Sequence, residues 1–201
     1  MPCYQIDGVR PVVDPQAYVH PTAVLIGDVI VSADCYVGPC AVLRGDFGPI
    51  HLEPGSNLQD TCVMHGFPGI ETRIKANGHI GHGAVLHGCV VGTNSMVGMN
   101  SVVMDKAIIG DNSIVGAMAF IKADTQFENN QLILGSPAKA IRTLSEKEIE
   151  WKTKGTQVYQ DLAIRSARSM VETTPLAQPE KKRKQISIDY QTLVEVKKDR
   201  D

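Results

Sequence analysis

Six histidines stand in this chain of 201 residues, and four of them, His65, His79, His82 and His87, fall within 23 positions of one another. His20 and His51 lie apart from that group. Neutral imidazole is a favoured zinc ligand, and three histidines with one open water position describe a catalytic site. The plainer reading makes each of them an ordinary polar surface residue. The clustering weighs against it, without saying which of the four would bind. The five cysteines, Cys3, Cys35, Cys40, Cys62 and Cys89, are odd in number and form no CxxC pair. They argue against a disulfide framework or a cysteine-based zinc site, and for a reducing cytoplasm.

The elements that must carry these histidines follow from a repeat. Val19, Leu25, Val31, Val37 and Leu43 stand six residues apart, Leu52, Leu58 and Met64 keep that step, and Val85, Val91, Val97, Val103, Ile109, Val115 and Ile121 form a third run. A helix would repeat its apolar positions at three and four, and a half-buried strand at two. A step of six suits a chain that runs along a flat face, turns a corner and begins the next face, with one aliphatic side chain inward per face. Three faces close a coil, and stacked coils share one core. Gly38, Gly92, Gly98, Gly110 and Gly116 each follow an inward aliphatic residue, where a corner is expected to need unusual backbone angles. The pattern therefore predicts an all-β parallel β-helix of hexapeptide repeats over 10–140. The hexapeptide-repeat proteins that it resembles coil left-handed.

Beyond the repeat, Ser145 and Glu148 have the spacing of a capping box, and Leu144 and Ile149 that of a hydrophobic staple. A C-terminal α-helix is expected within 144–174, packed alongside the β-helix through Ile149, Val158, Leu162 and Met170, despite Gly155. From 175 to 201 the chain turns polar and reads as a solvated tail, KKRK at 181–184 included. Lys and Arg number 20 against 22 Asp and Glu, so no global field points to nucleic acid or a membrane surface. The N-terminus shows no signal peptide, and no apolar stretch approaches the roughly 20 residues of a membrane span.

Several motifs occur in order: LRGD at 43–46, NLQD at 57–60, MHG at 64–66, GHGAVLHGC at 81–89 and GSPAK at 135–139. Over residues 10–170 the chain resembles the γ-class carbonic anhydrases. That resemblance implies zinc, or another divalent transition metal, held by His65, His82 and His87. It also implies a homotrimer in which one subunit supplies His65 and His87 and its neighbour supplies His82. His79 matches no family ligand and is expected beside the site or at the surface. Arg44 and Asp46 are expected to pair at a subunit contact, with Asp60 as a second partner for Arg44. Gln59 is a candidate to hydrogen-bond a metal-bound water or a substrate oxygen, and Tyr159 a candidate to hydrogen-bond the substrate.

The resemblance breaks at two places where well-known members carry proton-relaying carboxylates. Phe47 and Pro68 stand near them here, and Glu71 is a candidate substitute. Further stretches, including LRGDFG, QDTCVMHGFP and the WKTKGTQVYQ helix, resemble a subgroup tied to phenylacetate degradation, with carnitine-operon members nearly as similar. The expected function is therefore a zinc-hydroxide thioesterase acting on acyl-CoA compounds of aromatic catabolism. Hydration of carbon dioxide to bicarbonate, acyl transfer of the hexapeptide type and a non-catalytic accessory role remain as alternatives.

Overall fold

The computed structural model describes residues 1–198. It is a parallel β-helix of about seven turns, followed by an antiparallel hairpin, Gln131–Gly135 with Ala138–Thr143, and a helix α1, Glu146–Ser169. The first face begins with Val12 and stacks it on Ile30, His51, Arg73, Val90 and Ile108. The second stacks Tyr18, Tyr36, Asn57, His79, Met96 and Ile114. The third stacks Val24, Val42, Val63, Val85, Val102 and Phe120. All these ladders are parallel, so each strand's backbone groups are satisfied by the coils above and below.

Inside, Leu25, Leu43, Met64, Leu86, Val103 and Ile121 form one buried stack, and the other two faces supply equivalents. Two details depart from the sequence reading. Leu86, not Val85, faces inward, and Ile74 and Ile80 fill what reads in sequence as a gap. The buried column therefore keeps its step of six except at 43 to 52, 64 to 74 and 86 to 91. All three departures fall at the corner from the third face to the first. The five expected corner glycines serve close approach, not unusual angles. A Cβ on Gly92 would lie 2.6 Å from Asp111 Oδ1. The positive φ falls two residues later in each case, on Cys40, Asn94, Asn100, Asn112 and Met118.

Helix α1 opens with the expected capping box, Ser145 with Glu148, and Glu148 is gripped by both Arg142 nitrogens at 2.8 and 2.9 Å. It lies against the second face, but not through the apolar residues that sequence suggests. Glu148, Lys152, Gly155, Thr156, Ala163 and Ser166 are buried, whereas Met170 is exposed. Val158 and Leu162 line a groove with Ile188 from the returning C-terminal segment. That segment is not simply solvated. Tyr190 stacks on Trp151, the Trp151 indole N–H donates to the Gln191 carbonyl at 2.9 Å, and a short helix α2 spans Leu193–Lys198. A Cβ on Gly155 would lie 2.6 Å from the Tyr190 hydroxyl, which accounts for a glycine inside a helix. Among the described residues no helix is long and apolar enough to cross a membrane.

The inward register makes a direct prediction. Leu86→Ala removes a fully buried side chain from the stack and should cost about 2–5 kcal/mol by urea denaturation. A loss under about 1 kcal/mol would contradict the register and return Val85 to the interior.

Candidate metal and acyl-transfer site

The irregular corner gathers the chemistry. His65 ends strand Val63–His65, His87 ends Val85–His87, and the two are direct ladder partners, with Arg44 one coil below His65. His65 Nδ1 and His87 Nε2 face each other at 3.2 Å. The other nitrogen of each ring meets a carboxylate: His65 Nε2 lies 3.0 Å from Asp46 Oδ1, and His87 Nδ1 lies 2.7 Å from Asp105 Oδ1. A neutral imidazole carries one N–H, and a carboxylate only accepts. With both rings neutral, the protons belong at the carboxylates, and the two facing nitrogens point lone pairs at each other. A cation between them relieves that repulsion. Two nitrogens held 2.0–2.1 Å from a tetrahedral ion stand about 3.3 Å apart, which the pair already matches.

Thr72, fully buried, fixes both strands. Its hydroxyl donates to the His65 carbonyl at 2.6 Å and accepts from the Gly88 amide at 2.9 Å. The extra residues at this corner carry Phe47, exposed, with its ring 5.1 Å from that of His65, and the exposed Phe67. Glu71 is held by Arg73 at 2.7 and 2.9 Å, and Arg73 also reaches Glu53 at 2.8 Å. It is thus tied into an ion-pair network on the first face.

His82 stands elsewhere. It occupies the turn by which the chain enters the third face, before Gly83 at φ 71°, and strand Val85–His87 separates it from the far edge where His87 stands. Its Nδ1 lies 3.0 Å from Asp60 Oδ2 and its Nε2 lies 3.4 Å from the Tyr159 hydroxyl. Among the described residues of one chain, no group of three His, Cys, Asp or Glu side chains is placed to hold a metal. The three histidines expected as ligands therefore divide two and one.

The other residues named from sequence take the following places within one chain. Asp60 pairs with His82 rather than Arg44. Arg44 does pair with Asp46, at 3.0 Å, but Asp46 also faces His65 and so belongs to the histidine pair. Gln59 is buried and directed away from His65 and His87: its amide N–H groups reach Asn57 Oδ1 at 3.1 Å and His79 Nε2 at 2.8 Å. Tyr159 packs its ring on His79 and Tyr36 and reaches a histidine, not an open cleft. Asp105 was missed by sequence reasoning. The signal for it was positional: it lies 18 residues after His87, about one coil on.

His79 is part of the seam beneath α1 rather than a surface residue. Both ring nitrogens face amide N–H groups, Gln59 at Nε2 (2.8 Å) and Asn57 at Nδ1 (3.2 Å), and Nδ1 also lies 3.4 Å from the Thr156 hydroxyl. Burial, with the Lys152 ammonium and His82 adding to it, pushes its pKa down to about 3. Lys152 is itself buried, donates to the Asn77 carbonyl at 2.6 Å and to Asn94 Oδ1 at 2.8 Å, and has its pKa pushed down to about 7 by burial.

Residues 88–123 match the family described as bacterial transferase hexapeptide (six repeats). A carnitine operon protein CaiE from Proteus sp. (strain LE138) is 54% identical over 183 residues, 91% of this chain and 93% of the relative. One from Salmonella newport is 56% identical, over 91% of this chain and 92% of its own length. A hexapeptide transferase family protein from Anaplasma phagocytophilum is 34% identical, covers 82% of this chain and 97% of its own, and has a TM-score of 0.78. A Bacillus cereus structure described as a putative acetyltransferase is 25% identical over 83% and 98%, with a TM-score of 0.81.

The Lys152 environment predicts a pH dependence. Its folded pKa of about 7 lies below the roughly 10.5 of the unfolded chain. Between those values the unfolded chain holds the extra proton, so this residue's contribution to stability rises with pH across that window. Paired urea titrations at pH 7, 8 and 9 should show the wild type gaining on Lys152→Met at each step. A difference that does not change with pH would contradict a neutral amine in the fold.

Proposed function

We propose that this chain, which belongs to the hexapeptide-repeat family of the CaiE carnitine operon proteins, is a metal-dependent thioesterase whose site is shared between copies in a homotrimer. The observation that carries the reading is the His65–His87 pair, with its facing nitrogens 3.2 Å apart and a carboxylate behind each ring. Neutral ligands would leave a zinc ion its full charge. When bound, such an ion supplies a hydroxide nucleophile near neutral pH and polarises a carbonyl oxygen.

The third face supports the sharing. His82 and Asp60 mark the edge where the chain enters it, and Arg44, His65 and His87 the edge where it leaves. Between them runs the outward row Val24, Val42, Val63, Val85 and Val102, partly exposed along its length. Packing this face about a threefold axis would bury the valines and bring the His82 edge of one copy to the His65 and His87 edge of the next. The same contact would bring Asp60 towards Arg44, whose pairing expected from sequence would then be intermolecular.

The chain's own residues favour a thioester over carbon dioxide. Phe47 offers an apolar wall beside His65, and burying an organic acyl group there contributes on the order of 1.5–3 kcal/mol. Phe47 and Pro68 replace the relay carboxylates, and Glu71 is engaged by Arg73. Neither the Phe47 nor the Pro68 position offers a carboxylate for the fast proton export that carbon dioxide hydration needs every turnover. Hydrolysis consumes one water and releases a carboxylic acid and the CoA thiol. Acyl transfer is the second reading, and the descriptions of the two solved structures favour it. The relatives' names bring a carnitine-type acyl group beside the phenylacetyl group expected from sequence.

The test is thiol release by the zinc-loaded protein from phenylacetyl-CoA, a short-chain acyl-CoA and an acyl-CoA bearing a trimethylammonium group, beside stopped-flow carbon dioxide hydration. Release should vanish on chelation and return with zinc. His82→Ala and His87→Ala should each lose metal, while His79→Ala keeps most of it. Fast hydration without thiol release would restore the anhydrase. Release that needs an amine or hydroxyl acceptor and ignores chelation would establish the acyltransferase.

A further inference from the structure

We infer that Asp105 is a positioning residue for His87: it fixes the ring proton on Nδ1 and so presents Nε2 to the space shared with His65. The inference rests on the metal reading for its consequence, but not for its geometry. Asp105 Oδ1 lies 2.7 Å from His87 Nδ1, the shortest of the three histidine–carboxylate contacts around these residues. Both side chains are only about one-quarter exposed, at 25% and 27%, so the contact is partly shielded from water.

The corner's own requirements do not explain this aspartate. One coil further on, the equivalent position is Ala123, because Val103 pairs with Ile121. Alanine there precedes the same left-handed turn, at Asp124 with φ 57°, that Asp105 precedes at Lys106 with φ 58°. The turn therefore forms without a carboxylate at the position Asp105 occupies. What differs at Asp105 is the coil beneath it. The coil step is one residue short here, Val85 pairing with Val102, and the corner is closed by Gly88 in the left-handed region at φ 56°. A Cβ on Gly88 would lie 2.5 Å from Asp105 Oδ1. The shortened corner and its glycine thus leave the space in which the Asp105 carboxylate reaches His87. Thr72 holds the same Gly88 amide, which ties the His65 carbonyl, Gly88 and the His87 ring into one unit.

A carboxylate behind a ligating histidine sets its tautomer and orientation, and losing one typically lowers metal affinity about 10–100-fold. The experiment compares wild type, Asp105→Asn and Asp105→Ala by two measurements. Nitrogen-15 NMR of the histidine rings, taken without metal, reads the His87 tautomer. Zinc competition against a chelator reads affinity. Wild type should show His87 protonated at Nδ1, and Asp105→Ala a mixture of tautomers. Zinc affinity should fall about 10–100-fold in Asp105→Ala. Asp105→Asn, whose amide oxygen still accepts, should fall less. A loss of folding stability alone would move neither the tautomer nor its partial rescue by asparagine. An Asp105→Ala protein that keeps the Nδ1 proton, or binds zinc as wild type does, overturns the inference and leaves the metal reading standing. A tautomer that depends on Asp105 in a protein that binds no zinc upholds the positioning role and removes the metal reading instead.

Discussion

Parallel stacking ties each residue of this chain to another about one coil away, and everything else is arranged within that constraint. Val12 leads to Ile30, His51, Arg73, Val90 and Ile108 by steps of 18, 21, 22, 17 and 18 residues. Three faces of six account for the steps of 18. The inward column tolerates no slip, because a shift of one residue would exchange every buried side chain for its outward neighbour. Extra or missing residues must then be absorbed between inward positions, and here all of them fall at one corner, within the continuous strand Val42–Leu52 as well as in the loops after His65 and His87. That corner holds Arg44, Asp46, Phe47, His65, Phe67 and His87. Regular coils supply rigidity, and the irregular ones supply the variation that chemistry needs.

The second face uses the same rigidity differently. Its outward residues are Tyr18, Tyr36, Asn57 and His79, and α1 covers this partly polar surface with Lys152, Thr156 and Tyr159. A polar seam of this kind is satisfied only when each group meets its partner, since an unpaired buried group costs about 1–3 kcal/mol. The helix is therefore fixed in one register along the face. That register delivers Tyr159 to His82, so the position of the isolated histidine depends on helix packing as well as on the coil.

The sequence carried the coil plainly, because a step of six sustained over three runs has few structural explanations. Val85 shows where such reading fails. It and Leu86 are both aliphatic, so only the three-dimensional count through the shortened corner chooses between them. The helix was legible in its cap, where Ser145 and Glu148 meet as spaced, but not in its contact face. Apolar periodicity pointed to Val158 and Leu162, and the polar seam with Lys152 overrode it. The tail is solvated over most of its described length, as its composition implies, yet Tyr190 finds the notch at Gly155. The histidine cluster was visible as composition, and the resemblance chose among its members. The carboxylates behind the rings were less visible. Asp46, Asp60 and Asp105 lie 19 to 22 and 18 residues from the histidines they meet, a separation that means contact only once the coil length is known.

In the proposed shared site, the histidines of a single chain are insufficient to hold the metal. Subunits carrying His82→Ala retain His65 and His87, and subunits carrying His87→Ala retain His82. Each variant alone should bind little zinc. Unfolded together and refolded as a mixture, they should regain a fraction of the wild-type zinc per subunit, measured by elemental analysis of the isolated trimer. Mixed trimers that stay as empty as their parents would contradict a shared site, and full zinc binding by either variant alone would remove its missing histidine from the ligand set.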